Sequence, residues 1–173
     1  MKTANIQLEH NEFQREPIKF PLCILANDID VPMNIGSIFR IADALGVQKI
    51  FLTGSSPVPP NNKIKKTSRS TEKAVEYEYK ENALEVVDRL KQSGYLIVSI
   101  EITASSIDIR NFTTKKNDKT CLIVGAENAG VSQDLLDVSD YTIHIPMFGQ
   151  NSSMNVATAC AIAVFEFARK IMP

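Results

Sequence analysis

Five short apolar runs rich in β-branched residues recur along this chain, at Leu22–Ala26, Lys49–Thr53, Tyr95–Ile100, Cys121–Gly125 and Tyr141–Pro146. Helical patterns fill most of the intervals between them. A chain that alternates in this way can bury its strands on both faces only if the intervening helices pack back onto one sheet. The alternation therefore predicts an α/β domain: a mainly parallel sheet flanked by helices. Asn34–Leu45 places Ile35, Ile38, Phe39, Ala42 and Leu45 on one stripe, the signature of an amphipathic helix. Helices are also predicted over Glu81–Gln92, Ser132–Val138 and Ser153–Ile171, the last with serine at its start. Val75–Tyr79 alternates like an edge strand. Gly54–Thr71, with three prolines and two asparagines, reads as a long functional loop. The 173 residues suit one domain over 21–173, preceded by a short arm at 1–20.

Composition narrows the function. The start of the chain lacks a charged segment followed by an apolar one, so a cytoplasmic protein is expected. The longest nearly apolar run, Val156–Ala168, is too short to span a bilayer, so no membrane partner is expected. Cys23, Cys121 and Cys160 form no C-x-x-C pair, and the two histidines, His10 and His144, are far apart. Buried reduced thiols and no metal site are the expectation. His144 falls in an alternating run and should face one side of the sheet. The formal net charge of −1 excludes an evenly basic surface. It does not exclude a local one: Lys63, Lys65, Lys66, Arg69 and Lys73 fall within eleven residues, opposed only by Glu72.

Three segments have chemistry that packing explains poorly. In Asn34–Leu45 the core stripe leaves Gly36, Arg40 and Asp43 on the opposite face. Glycine costs about 1 kcal/mol in a helix interior, but it lets another group approach the backbone, and an arginine one turn later can clamp a phosphate. An exposed face with an Arg40–Asp43 pair is the plainer alternative. The second segment, Gly125-Ala126-Glu127-Asn128-Ala129-Gly130-Val131-Ser132, follows an apolar strand. Glycines at the carboxyl end of a strand suggest a ligand crevice, although neither the dinucleotide fingerprint nor the P-loop is present. A carboxylate inside that turn at Glu127 favours function over a structural turn. The third segment, Ile145–Asn155, gathers Asn151, Ser152, Ser153 and Asn155 between a strand and a helix, more polar groups than a cap requires. The helix that follows is apolar nearly all round; it should be buried, with a dimer seam as an addition.

Taken together and in this order, the segments resemble the SpoU/TrmH branch of the SPOUT RNA methyltransferases. The matching residues are Asn34-x-Gly36-x-x-x-Arg40-x-Ala42-x-x-x-Gly46, Gly125-x-Glu127-x-x-Gly130-x-Ser132, and Ile145-Pro146-Met147 with Ser153-Met154-Asn155-Val156. The resemblance covers about residues 20–170. It implies a sheet whose carboxyl-terminal part forms a deep trefoil knot, an exception to unknotted topology. It also implies S-adenosylmethionine as cofactor, a homodimer with sites near the subunit interface, and methyl transfer to an RNA ribose 2′-hydroxyl. Arg40 is then the central catalytic residue. Asn34 and Glu127 would orient the arginine or the ribose, and Ser153 and Asn155 would shape the same site. The cofactor would be held by Gly125, Glu127, Gly130, Ile145, Met147, Ser153 and Met154, with Ile100, Glu101 and Thr103 lining the pocket. Lys63, Lys65, Lys66 and Arg69 would join Arg40 in binding RNA.

Some positions depart from the family pattern. Asn128 replaces a common glycine, which fits a positive φ because asparagine visits that region readily. Met154 replaces the usual leucine, and Thr67–Thr71 lacks a common Gly-Ala. Family members acting on ribosomal RNA often carry an extra amino-terminal domain for which this chain has no room, which places transfer RNA ahead of ribosomal RNA as the expected substrate. Two other readings stay open: an inactive RNA-binding protein of the same fold, opposed by the intact Arg40, Glu127 and Asn155, and a nucleotide-dependent oxidoreductase, opposed by the incomplete glycine fingerprint.

Overall fold

Strand β1 (Phe20–Asn27) sends alternate side chains into two separate cores, as a strand buried on both faces must. Leu22, Ile24 and Ala26 join one core, while Cys23 and Leu25 join the other. The computed structural model describes residues 16–115 and 118–171, together with Asn5 and Gln7. Most of the arm expected at 1–20, including His10, lies outside these residues.

The remaining elements are α1 (Pro32–Ala44), β2 (Val47–Thr53), α2 (Asn62–Ser68), β3 (Tyr77–Lys80), α3 (Ala83–Gln92), β4 (Leu96–Ile100), β5 (Ile107–Asp108), β6 (Thr120–Val124), α4 (Gln133–Val138), β7 (Tyr141–His144) and α5 (Val156–Ile171). The seven strands form one sheet in the order β3-β2-β1-β6-β4-β7-β5, and every pairing is parallel. Helices α1 and α5 pack on one face, through Ile35, Ile38, Phe39, Val164 and Phe167 among others. Helices α3 and α4 cover the other face through Val86, Val87, Leu90 and Leu135. The expected α/β architecture is present, with β3 as the anticipated edge strand and the two-residue β5 as an unanticipated one at the other edge.

Apart from shifts of one or two residues at element ends, such as β3 at Tyr77–Lys80 rather than Val75–Tyr79, the structure differs from expectation in two places. The stretch read as a loop over Gly54–Thr71 contains α2. Its two asparagines looked like turn residues, but Asn61 is an N-cap, its side chain accepting from the backbone N–H of Lys63 (2.9 Å) and Ile64 (3.3 Å). With Ile64 its one buried apolar side chain, the short helix leaves no periodicity to detect. The last helix begins at Val156 rather than Ser153, because Asn155 is the residue whose side chain accepts from the N–H of Ala157 (3.0 Å) and Thr158 (3.2 Å).

Cys23, Cys121 and Cys160 are buried and free, as expected. Burial raises all three thiols, Cys160 to about 12, so they pack as small apolar groups. Among the described residues no helix is long and apolar enough to cross a membrane, and no group of three or more His, Cys, Asp or Glu could hold a metal ion.

Candidate active site

The strand order reverses around β1: β2 and β3 lie on one side of it, and β6, β4 and β7 on the other. At the carboxyl ends of those last three strands, where a parallel sheet usually binds its ligand, lies a cavity of about 970 Å³. Ile100, Val124 and His144, the final residues of β4, β6 and β7, all line it. So do all the residues expected to contact a cofactor: Ile100, Glu101, Thr103, Gly125, Glu127, Gly130, Ile145, Met147, Ser153 and Met154.

The glycine turn after β6 closes on itself, with Ala126 and Gly130 bridged in antiparallel fashion. A Cβ at Gly125 would lie 2.0 Å from the Gly130 carbonyl oxygen, and Gly130 itself has φ +70°. Glycine is thus required at both ends of the turn. Asn128 keeps a negative φ, contrary to expectation; Gly130 supplies the left-handed residue the turn needs. Glu101 seals the other wall. Its carboxylate accepts from the N–H of Val131 (3.0 Å) and of Ile102 (2.9 Å), tying the β4 loop to the glycine turn. The buried Thr103 Oγ1, on the cavity-lining loop, has no hydrogen-bond partner among the described residues. A cavity walled by three strand-end loops, with a buried unpaired hydroxyl among the described residues, fits an adenosyl ligand better than an apolar one.

Glu127 reaches out of this cavity to helix α1. Its carboxylate accepts from the N–H of Asp30 (2.8 Å), the N–H of Val31 (3.1 Å) and Asn34 Nδ2 (2.6 Å). Val31, the N-cap position of α1, has no side-chain cap of its own. Glu127 therefore satisfies the start of a helix 96 residues earlier in the chain. Asn34 Oδ1 in turn accepts from Asn155 Nδ2 at 3.0 Å, and Asn155 Oδ1 caps α5. The connected donors and acceptors leave each amide one orientation. Burial pushes the Glu127 carboxyl upward, but the N–H groups of Asp30, Asn34 and Val31 outweigh it, and the net shift is downward. Of the residues expected to form the catalytic site, Asn34, Glu127 and Asn155 are thus joined directly. Ser153 lies in the cavity wall.

Arg40 stands apart from the cavity, exposed on α1 and without an ion-pair partner among the described residues; the alternative Arg40–Asp43 pair does not form. The face it occupies is only partly open. Gly36, one turn earlier, is buried against α2: a Cβ there would meet the Ile64 carbonyl oxygen at 2.7 Å, Thr67 Cβ at 2.8 Å and the Ser68 nitrogen at 3.0 Å. The glycine thus admits a helix, not a ligand, which corrects the expectation that its face would be free. This packing sets α2, with exposed Lys63, Lys65, Lys66 and Arg69, beside the helix that carries Arg40.

Sequence reasoning overlooked His144 as a site residue. Its Nδ1 lies 3.0 Å from Ser106 Oγ, which also accepts from Thr103 N and donates to Thr103 O. Its position directly before Ile145-Pro146-Met147 was the available signal. The Asp30 and Val31 amides could not have been found, since backbone donors have no residue signature.

Residues 21–165 match the model of the SpoU rRNA methylase family. A Staphylococcus aureus protein assigned to the TrmH family of tRNA/rRNA methyltransferases is 27% identical over 157 residues, 91% of this chain and 62% of the relative. The crystal structure of the A. aeolicus TrmH/SpoU tRNA modifying enzyme is 28% identical, with a TM-score of 0.79 over 90% of this chain and 77% of that one. The AdoMet-bound rRNA methyltransferase of Sinorhizobium meliloti is 25% identical, with a TM-score of 0.82 over 92% of this chain and 60% of that one. The chain spans about 62% of the length of the curated relatives it matches. With the match running through β1, the glycine turn and most of α5, this chain belongs to the SpoU rRNA methylase family.

Proposed function

We propose that this protein is an S-adenosylmethionine-dependent RNA ribose 2′-O-methyltransferase, with transfer RNA the substrate placed ahead of ribosomal RNA. One observation carries the reading: the Glu127–Asn34–Asn155 chain joins the glycine-lined cavity to the helix bearing Arg40. A site that must align a small ligand with a group on a polymer needs both parts on one rigid frame. The named relatives, one described as AdoMet-bound and two as tRNA or tRNA/rRNA enzymes, support the ligand and the polymer class.

Bound S-adenosylmethionine supplies a methyl group already activated by its sulfonium. Gly125, Ile145 and Met154 would hold the adenosyl portion through their backbone groups, while Thr103 Oγ1 would gain its missing partner. Arg40 would hold the phosphate beside the target ribose and stabilise charge developing on the 2′-oxygen; a guanidinium is a poor base but a strong electrostatic anchor. Glu127 and Asn34 would act by fixing the start of α1, and Asn155 and Ser153 by shaping the cavity mouth. Lys63, Lys65, Lys66 and Arg69 would extend the phosphate-binding surface.

Homodimerisation and the deep trefoil knot belong to the same proposal. Phe148, Ile162 and Phe165 are exposed and, with Ile109, Ile145 and Pro146, line a shallow apolar hollow beside the cavity; covering it with a second copy would bury it. The insertion of β6 between β1 and β4 and the convergence of the loops after β4, β6 and β7 on one cavity support the knot.

The test is transfer of labelled methyl from S-adenosylmethionine to bulk transfer RNA and ribosomal RNA, followed by mapping of the labelled nucleotide. Label on a ribose is expected, and Arg40→Ala should reduce the rate at least about 100-fold with cofactor affinity unchanged. Label on a base, or full activity in Arg40→Ala, refutes the assignment.

A further inference from the structure

Among the described residues that line the cavity, the ionisable side chains are Glu101, Glu127 and His144; there is no lysine or arginine. The two carboxylates differ in what they do. Glu127 has its oxygens turned to Asp30, Val31 and Asn34, so it is committed to helix α1. Glu101 uses each oxygen once, toward Val131 N and Ile102 N, both in the cavity wall. A carboxylate oxygen can accept more than one hydrogen bond, so Glu101 keeps acceptor capacity and its charge for a ligand. It is seated in the space that Gly130 leaves, where a Cβ would lie 2.2 Å from Glu101 Oε2, and it cannot swing away without losing its bonds to Val131 N and Ile102 N.

Resting on the methyltransferase reading, we propose that Glu101 is a specificity-determining residue that makes the cavity prefer a sulfonium ligand to its neutral thioether product. Methyl transfer forms a bond from the ribose oxygen to the methyl carbon and returns the carbon–sulfur electron pair to sulfur. The hydroxyl proton leaves to solvent, and the molecule remaining in the cavity has one positive charge fewer. A fixed negative charge with no lysine or arginine among the described wall residues to neutralise it distinguishes these two molecules, whereas hydrogen bonds to the shared adenosyl and amino-acid parts do not. The same bias favours exchange of spent product for fresh cofactor.

Calorimetry on the full chain at constant pH tests this with three probes: S-adenosylmethionine, S-adenosylhomocysteine, and an analogue with a protonated amine in place of the methylsulfonium. Glu101→Gln should lower the preference for each cationic probe over S-adenosylhomocysteine by about tenfold, and Glu101→Asp should retain most of it. In the wild-type protein the preference should weaken as salt rises, and Glu101→Asp, which keeps the charge but not its reach, carries the residue assignment if the glutamine variant does not fold. Equal loss of affinity for all three probes in Glu101→Gln makes Glu101 a spacer and overturns the proposal, as does a salt-independent preference. A wild-type protein that binds none of the probes overturns the methyltransferase reading itself, and this inference with it.

Discussion

Replacing Glu127 by alanine removes one acceptor from three donors, and the structure says which of them will suffer. The amides of Asp30 and Val31 are at the surface, where water can replace the lost carboxylate at little net cost. Asn34 is buried, with 8% of its surface exposed, and its Nδ2 would be stranded. An unsatisfied buried donor costs about 1–3 kcal/mol, and loss of a carboxylate at a helix start adds about 0.3–1 kcal/mol. The sum is about 1.3–4 kcal/mol, which for a chain of this length lowers Tm by about 3–16 °C. Glu127→Gln should cost roughly half as much, since its amide oxygen in the Oε1 position can still accept from Val31 N and Asn34 Nδ2 and loses only the bond from Asp30 N. The downward shift of the Glu127 carboxyl fixes the pH dependence. Its folded pKa lies below the ordinary value of 4.5, so its contribution is complete above that value and is lost as pH falls through the folded one. Thermal melts of wild type and Glu127→Gln should therefore show a constant gap near neutrality that closes in acid below 4.5. A Glu127→Ala protein with wild-type Tm, or a gap that widens in acid, would refute the claim that this residue caps α1.

Gly36→Ala gains about 1 kcal/mol in helix propensity but drives a methyl into the α2 backbone, an overpacking cost of about 1–3 kcal/mol; a lower Tm and weaker RNA binding with unchanged cofactor affinity are expected from melts and filter binding. Replacing Lys63 and Lys66 together by alanine should flatten the dependence of RNA affinity on salt by about 1–2 in logarithmic slope, read from binding at several salt concentrations. Phe165→Glu on the exposed side of α5 should convert the proposed dimer to a monomer in sedimentation experiments, and a wild-type protein that sediments as a monomer refutes the dimer.

The layers of this fold were readable because burial imposes a period. Strands such as Cys121–Val124 are apolar throughout, since helices cover both faces, and α1 has a clear stripe at Ile35, Ile38, Phe39 and Ala42. Where burial is slight, the pattern disappears: α2 has one anchor in Ile64, and β5 is two residues long. The carboxyl-terminal helix illustrates the reverse error. Its apolar run implied burial all round, yet Phe165 and Ile162 face outward while Phe167 and Val164 fill the core, because hydrophobicity reports a need for cover without saying what provides it.

The sequence alone determined the α/β class, the strand-ending glycine turn and the residue types gathered at the cavity, because periodicity, turn chemistry and polar clustering are local properties. It also placed Arg40 one helical turn beyond Gly36. Only the tertiary structure decided what these residues do for one another. Asn34 meets Glu127 across 93 positions and Asn155 across 121, and Gly36 proved to be a seat for α2 rather than an opening for a ligand. Such pairings depend on how parallel strands are ordered in the sheet, and hydrogen bonds between distant loops leave no trace in the spacing of either one.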